Sequence, residues 1–88
     1  MNWHAELSDE AEQQLKRLPR RIQAQIERAI DVLEVDPFRG DVIPLRGRQW
    51  RGRYRKRVGR YRIFFVPHHD THIVEVSAIL LRDEQTYR

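Results

Sequence analysis

The spacing of the apolar residues changes once along the chain, near Asp36-Pro37, and this change limits the fold more than any other feature. Most of the chain before this point has apolar residues every three or four positions, the period of a helix with one buried face. After it, apolar and polar residues alternate, as in a strand with one buried face. The 88 residues are therefore expected to form one α+β domain over residues 1–88, with two helices followed by an antiparallel sheet.

The first half of the chain predicts a short strand and two helices. Trp3, Ala5 and Leu7 alternate with polar residues, which indicates an N-terminal strand. Ser8 is a favourable N-cap for the first helix. Pro19 separates the two helices, because its ring and its missing N–H interrupt a helix. The apolar stripes are Ala11, Leu15 and Leu18 in the first helix and Ile22, Ile26, Ala29, Ile30 and Leu33 in the second. Helices joined this closely are expected to form an antiparallel hairpin over the sheet.

The second half predicts three to four antiparallel strands. They cover residues 42–45, 53–58, 61–66 and 72–81. The first of these is weak because it contains Pro44, and proline cannot donate a hydrogen bond to a neighbouring strand. The last is rich in β-branched residues and is expected to be the central strand. Residues 67–71 are expected to form the connection that precedes it, and residues 82–88 a polar tail.

The two-residue turn Gly59-Arg60 determines the register of its hairpin, because glycine in the first central position suits a type II′ turn. The pairs are Val58 with Tyr61, Arg57 with Arg62, Lys56 with Ile63 and Arg55 with Phe64. Alternation then places Arg55, Arg57 and Arg62 on one face. Like charges directly opposite each other cost up to about 1 kcal/mol, which indicates an anionic ligand such as a phosphate. A solvated basic face without a function is the alternative. Lys56 points to the core side, unless it extends to an edge or the hairpin contains a bulge.

The basic residues are concentrated in the second half of the chain. Residues 1–44 carry a net charge of −3 and residues 45–88 a net charge of +7. Aromatic and aliphatic residues are interspersed among the basic ones, which indicates a folded basic surface typical of nucleic-acid binding. The predicted RNA contacts outside the central arginines are Arg46, Arg48, Arg51, Arg53, Lys56 and Arg60. Trp50 either stacks on a nucleotide or lies half-buried against the sheet edge.

Several classes of protein are excluded or disfavoured. The chain has no cysteine, which excludes disulfides and thiolate metal sites. His68, His69 and His72 lie in or beside a predicted turn without a supporting carboxylate cluster, so a solvated turn is favoured over a metal site. No apolar run approaches the roughly 18 residues of a membrane span. The N-terminus shows no signal-peptide pattern. We expect a cytoplasmic protein that uses no metal and no cofactor.

Five segments, which together extend over nearly the whole chain, have the pattern of one known family. They are Leu18-Pro19-Arg20-Arg21, Asp36-Pro37, Leu45-Arg46-Gly47, the hairpin Tyr54 to Ile63, and Arg82 to Tyr87. They resemble the RelE/ParE toxin superfamily of type II toxin–antitoxin systems. The resemblance implies the RelE-like microbial RNase fold, with an N-terminal strand, a helical hairpin and three to four antiparallel strands. It also implies a cognate antitoxin protein as partner.

The superfamily has an RNA-cleaving branch and a branch that inhibits DNA gyrase. Basic residues at the positions of Arg55, Arg57 and Arg62, together with Arg82 and Tyr87, are similar to the RNA-cleaving pattern. The resemblance implies a metal-independent endoribonuclease that cleaves mRNA on the ribosome, in contact with 16S ribosomal RNA. A ribose 2′-OH would attack the adjacent phosphate and expel the 5′-oxygen. The alternatives are a non-enzymatic gyrase inhibitor and an inactive protein that acts as a co-repressor with its antitoxin.

Each of these side chains has a physical role in such a reaction. A guanidinium group binds the extra negative charge of a pentacoordinate phosphate through two hydrogen bonds, and Arg62 and Arg82 are the candidates for this clamp. Arg55 and Arg57 would position the neighbouring phosphates. Tyr87 would stack on a base or assist proton transfer.

The general base is the point at which this chain departs from the RNA-cleaving pattern. Related toxins commonly have lysine, glutamate or histidine where a base is needed. Arg55 and Arg57 cannot serve, because arginine is not deprotonated in proteins. The remaining candidates are Tyr87, Glu84 and a group from solvent or the ribosome.

Overall fold

The order of secondary structure, seen in a computed structural model that describes residues 2–82, is a strand, two helices and four further strands. The strands are β1 His4–Leu7, β2 Val42–Pro44, β3 Tyr54–Val58, β4 Tyr61–His68 and β5 Ile73–Leu81, and the helices are α1 Asp9–Lys16 and α2 Arg20–Val35. A short 3-10 helix, Arg48–Trp50, lies in the connection between β2 and β3. The predicted α+β class is confirmed. Neither helix in this part of the chain is long and apolar enough to cross a membrane.

The five strands form one mixed sheet with the order β1-β5-β4-β3-β2. The pairs β2–β3, β3–β4 and β4–β5 are antiparallel, whereas β1 pairs in parallel with β5. The prediction that β5 is the central strand was therefore wrong in detail. It is an interior strand, but β4 lies in the middle because β1 adds only one strand beyond β5. Strand β4 is also longer than predicted, since Pro67 pairs with Val74 and continues the ladder to His68.

The two helices begin in different ways. Ser8 caps α1, and its Oγ accepts a hydrogen bond from the N–H of Ala11 at 3.1 Å. Acidic residues fill the first turn of α1, where the helix dipole favours negative charge. Helix α2 starts after Pro19, which provides no side-chain cap, and its first turn contains no acidic residue. The predicted break at Pro19 is confirmed.

The hydrophobic core lies between the helices and one face of the sheet. Its buried residues are Ala11, Leu15, Ile26, Ala29, Ile30 and Leu33 from the helices and Ile63, Phe65, Val74, Val76 and Ile79 from the strands. The apolar stripes predicted for both helices supply the helical part of this set. Both α-helices cover the same face, so no α-helix among residues 2–82 lies on the opposite face of the sheet, which we call the open face.

Strand β5 contains a β-bulge. Because of it, the side chains of the last residues of β5 point to the same faces of the sheet as those of their partners in β4. Val76 pairs with Phe65 and Ala78 with Phe64, so Ser77 is an extra residue between two pairs. Two contacts hold it: its hydroxyl donates to the carbonyl of Phe64 at 3.2 Å, and its carbonyl accepts from Ser8 Oγ at 3.0 Å. If Ser77 were instead paired as an ordinary strand residue, every later side chain of β5 would point to the other face of the sheet.

Candidate nucleic-acid interface

The hairpin of β3 and β4 has the predicted register. Arg57 pairs with Arg62, and Arg55 pairs with Phe64. Gly59 has a φ of +58°, which the first central residue of a type II′ turn requires, and Arg60 does not share this left-handed conformation. The three arginines Arg55, Arg57 and Arg62 therefore lie on one face of the hairpin, and we call them the arginine face.

The arginine face belongs to the open face of the sheet. The residues that alternate with it, Ile63 and Phe65, are fully buried beneath the helices. Between the arginines the open face is apolar, because Phe64 is only 5% exposed and Ala78 beside it is fully buried. Guanidinium groups next to an apolar surface are less well screened by water, so their attraction to an anion is stronger than on a fully hydrated surface.

Arg82 lies at the end of the sheet beside the β3–β4 turn. Its N–H donates to the carbonyl of Arg60 at 2.7 Å, which extends the pairing of β4 with β5 by one step. Leu80 pairs with Arg62, so strand alternation places Arg82 on the same side of the sheet as Arg62. The bulge at Ser77 produces this phase. Tyr87 and Glu84, the other candidates near the site, lie outside the described residues.

The bulge is the feature of this site that sequence reasoning missed. The residues of β5 in the core beneath the helices are Val74, Val76 and then Ile79, a step of three, but Ala78 is also apolar and buried, so the sequence alone continues the regular step of two and does not reveal the change. In the structure, such a change of phase within one strand indicates an inserted residue.

A second group of predicted RNA contacts lies at the other end of β3, in the connection 45–53 between β2 and β3. Its members are Arg46, Arg48, Arg51 and Arg53. The N–H of Leu45 donates to the carbonyl of Arg53 at 2.9 Å and closes the connection. The guanidinium carbon of Arg53 lies 5.9 Å from the ring centre of Trp50. Trp50 is half-buried, in agreement with one of the two interpretations of this residue. Arg60 is exposed in the turn at the opposite end of β3.

Lys56 does not belong with these contacts. Its side chain is 8% exposed on the helix side of β3, and its Nζ donates to the carbonyl of Arg39 at 3.1 Å. Burial lowers the pKa of Lys56 below its ordinary value of 10.5, the charge of Arg39 lowers it further, and Asp36 partly opposes this. The prediction of an RNA contact at Lys56 does not fit this position, because the amine is on the wrong side of the sheet. For the same reason it cannot serve as the general base.

The lowered pKa of Lys56 predicts a specific dependence of stability on pH. Between this lowered pKa and the ordinary value of 10.5, the unfolded chain binds more protons at residue 56 than the folded chain does. The free energy of unfolding should therefore rise with pH in this alkaline range. Lys56→Met should remove this rise, as measured by urea denaturation at several pH values. Lys16→Met, at an exposed position, is the control and should keep it. Parallel pH curves for wild type and Lys56→Met would contradict this account.

The open face changes charge at the end where β1 begins. Glu6 of β1 lies directly beside Glu75 of β5, and Nε2 of His68 lies 3.0 Å from the carboxylate of Glu75. His72 stacks on Trp3 with 4.5 Å between ring centres. In the part of the chain that the structure describes, no three histidine or acidic side chains come together as a metal site would need. The open face is thus acidic where β1 and β5 begin, and basic along β3 and at the β3–β4 turn.

Comparison with known proteins places these features in a family. Residues 5–86 match the family model described as the ParE toxin of the type II toxin-antitoxin system parDE. The fold is similar to that of the toxin–antitoxin complex RelBE2 from Mycobacterium tuberculosis, with 26% identity over 93% of this chain and 100% of that chain and a TM-score of 0.80. The archaeal RelE–RelB complex from Pyrococcus horikoshii gives 23% identity, 97% and 100% coverage and a TM-score of 0.80.

The YoeB/ParE toxin from Agrobacterium tumefaciens has the same fold, with 18% identity over 89% of this chain and 96% of that chain and a TM-score of 0.77. No protein with a curated description matches the chain.

Proposed function

The chain belongs to the ParE toxin family of type II toxin–antitoxin systems, within the RelE/ParE superfamily, and from this premise we propose that it is a ribosome-dependent endoribonuclease that cleaves mRNA. The observation that carries the proposal is the arginine face, with Arg57 directly opposite Arg62 and the backbone of Arg82 joined to the adjacent turn. Facing residues of this kind have Cβ atoms about 5 Å apart, so their guanidinium groups can bind neighbouring phosphates of one RNA strand.

In the proposed reaction the 2′-oxygen of a ribose forms a bond to the adjacent phosphorus, and the bond from phosphorus to the 5′-oxygen breaks. A base accepts the proton of the 2′-hydroxyl, and the leaving 5′-oxygen takes up a proton. The products are a 2′,3′-cyclic phosphate, which can open to a 3′-phosphate, and a 5′-hydroxyl. Arg62 and Arg82 stabilise the charge of the pentacoordinate phosphate, and Arg55 and Arg57 hold the neighbouring backbone. The base is Tyr87, Glu84 or a group from solvent or the ribosome.

A cognate antitoxin is part of the proposal. Two structurally similar proteins are described as complexes of a toxin with its antitoxin, which supports the same kind of partner here. An acidic or amphipathic antitoxin segment that covers the arginine face would block RNA by occupying the same guanidinium groups. We propose that the toxin acts in the cytoplasm, where translating ribosomes are found.

A gyrase inhibitor is the second candidate, and the observation that favours it is the match to a family model named for ParE. Such a protein would act by contact with gyrase and would need no phosphate clamp. An inactive co-repressor bound to its antitoxin would likewise not cleave RNA.

Mapping the 5′ ends of mRNA in a translating system separates these functions. We expect the full chain to produce cuts in phase with codons, antitoxin to suppress them, and Arg82→Ala to abolish them. Arg39→Ala, which removes an exposed arginine beyond the arginine face, is the control and should retain them. Double-strand DNA breaks without RNA cuts would replace the nuclease proposal with gyrase inhibition. The absence of both would favour the co-repressor.

A further inference from the structure

The basic surface continues beyond the end of the sheet to the connection between the helices. Arg17, at the C-terminal end of α1, lines a cleft of about 320 Å³ together with Tyr61 of β4 and Leu80 and Leu81 of β5. Leu80 pairs with Arg62 of the arginine face. The guanidinium group of Arg17 therefore belongs to the same end of the molecule as Arg82.

Arg21 of α2 approaches this end from the other side. A Cβ atom at Gly59 would lie 3.7 Å from Nε2 of Gln25, so α2 passes close to the β3–β4 turn. Arg21 is four residues before Gln25 and thus on the same side of the helix, about 6 Å nearer to its N-terminus. The turn itself contributes Arg60, which is exposed. We call Arg17, Arg21 and Arg60 the corner cluster.

None of these three arginines is held by an ion pair in the described part of the chain. All are exposed, and none lies within ion-pairing distance of a carboxylate among residues 2–82. Lys16, their neighbour on α1, is by contrast paired with Glu12 at 3.3 Å. Three positive charges from three different elements, without an ion pair to any of the described residues, lie at the same end of the molecule and repel one another, which an anionic partner would relieve.

The opposite end of the sheet carries both charges, because its β1 edge is acidic while its β2 edge has the arginines of the connection 45–53. The C-terminal part of α2 carries Glu34, which accepts a hydrogen bond from the N–H of Ala5 at 2.9 Å. Glu6 and Glu75 lie beside each other on the sheet at this end. A polyanion is therefore attracted to the corner cluster and repelled from the β1 edge of the opposite end, which restricts how the protein can lie on it.

We propose that the corner cluster is a second RNA-binding surface, which holds the phosphate backbone of a structured RNA while the arginine face holds the mRNA strand. The inference rests on the nuclease function proposed above, because it concerns how that enzyme is held at its substrate. Contacts from exposed guanidinium groups to phosphates position a protein without reading sequence. The two surfaces meet at Arg60 and Arg82 and bind one RNA assembly at two points. Binding at either surface therefore raises the local concentration of RNA at the other.

The test measures binding of a short RNA duplex that is 2′-O-methylated throughout, because this probe cannot be cleaved by attack of a 2′-hydroxyl. The variant is Arg17→Gln with Arg21→Gln in the full chain. We expect the slope of log affinity against log salt to become shallower by about 1 to 2, since each lost phosphate contact removes up to about 0.9. At moderate salt the affinity should fall roughly two- to thirty-fold, the range for two exposed ion pairs.

Two further variants make the result specific. Arg17→Lys with Arg21→Lys keeps both charges and should retain the wild-type slope. Arg28→Gln with Arg39→Gln removes the same charge from exposed positions outside the cluster and should change the slope less. On ribosomes, the corner variant should raise the KM for mRNA cleavage and leave kcat unchanged, because it does not touch the scissile phosphate.

A slope that changes equally in the corner variant and in the Arg28/Arg39 control would overturn the inference. So would a loss of binding to an acidic antitoxin peptide with duplex affinity unchanged, which would assign the cluster to a protein partner. The duplex assay involves no cleavage, so its failure is separate from failure of the nuclease proposal, which depends on mapped mRNA ends.

Discussion

Phe65→Ala is expected to remove about 3–5 kcal/mol of the free energy of unfolding, the usual cost of deleting a buried phenylalanine ring. Phe65 is fully buried, pairs with Val76 across the sheet and lies 5.9 Å from the ring of Tyr54. A domain of this length is stable by only about 4–13 kcal/mol in total. The loss is therefore about a quarter or more of the whole, and it should appear as a large fall in the midpoint of urea denaturation.

Phe38→Ala is the matched control, since the same atoms are removed from a ring that is 42% exposed. The ring of Phe38 contacts the rings of Tyr54 and His69, and neither of these belongs to the buried residues of the core cluster. The substitution leaves no closed cavity, so we expect it to cost about 1 kcal/mol. Equal losses for the two substitutions would show that β4 is not packed beneath the helices as the structure has it.

Sequence reasoning succeeded where the signals are local. Ser8 and Pro19 mark helix boundaries through their own backbone chemistry, and the apolar stripe of α2 needs no partner to be recognised. The Gly59-Arg60 turn sets the hairpin register because a two-residue loop leaves no freedom in the pairing. The arginine face followed from this register alone, which is why its placement could be derived before any tertiary contact was known.

The remaining features depend on residues far apart in the chain. The parallel pairing of His4 with Ile73 joins segments separated by both helices, and no local pattern encodes it. The bulge at Ser77 exists because Ser8 and the β4 backbone hold it. The burial of Lys56 depends on the carbonyl of Arg39, which accepts its amine. A basic residue inside a basic run therefore looked like an RNA contact, although its side chain faces the helices.

Arg57→Thr is expected to make the protein more stable and the enzyme slower. Arg57 is exposed and lies directly opposite Arg62, so its removal relieves repulsion between two like charges. Together with the preference of threonine for strands, this should raise the free energy of unfolding by up to about 1 kcal/mol. The same change removes a phosphate contact beside the clamp, and a misplaced scissile phosphate should reduce kcat on ribosomes by about 10²-fold.

Arg46→Thr is the control, because it removes the same charge from the β2–β3 connection, where no strand residue opposes it. It should leave stability nearly unchanged and reduce cleavage far less. A rise in the free energy of unfolding together with a fall in kcat, seen for Arg57→Thr but not for Arg46→Thr, would mean that the facing arginines serve to bind an anion. If Arg57→Thr lowered the free energy of unfolding while cleavage continued at the wild-type rate, the pair would be a structural feature and the proposed clamp would lose its main support.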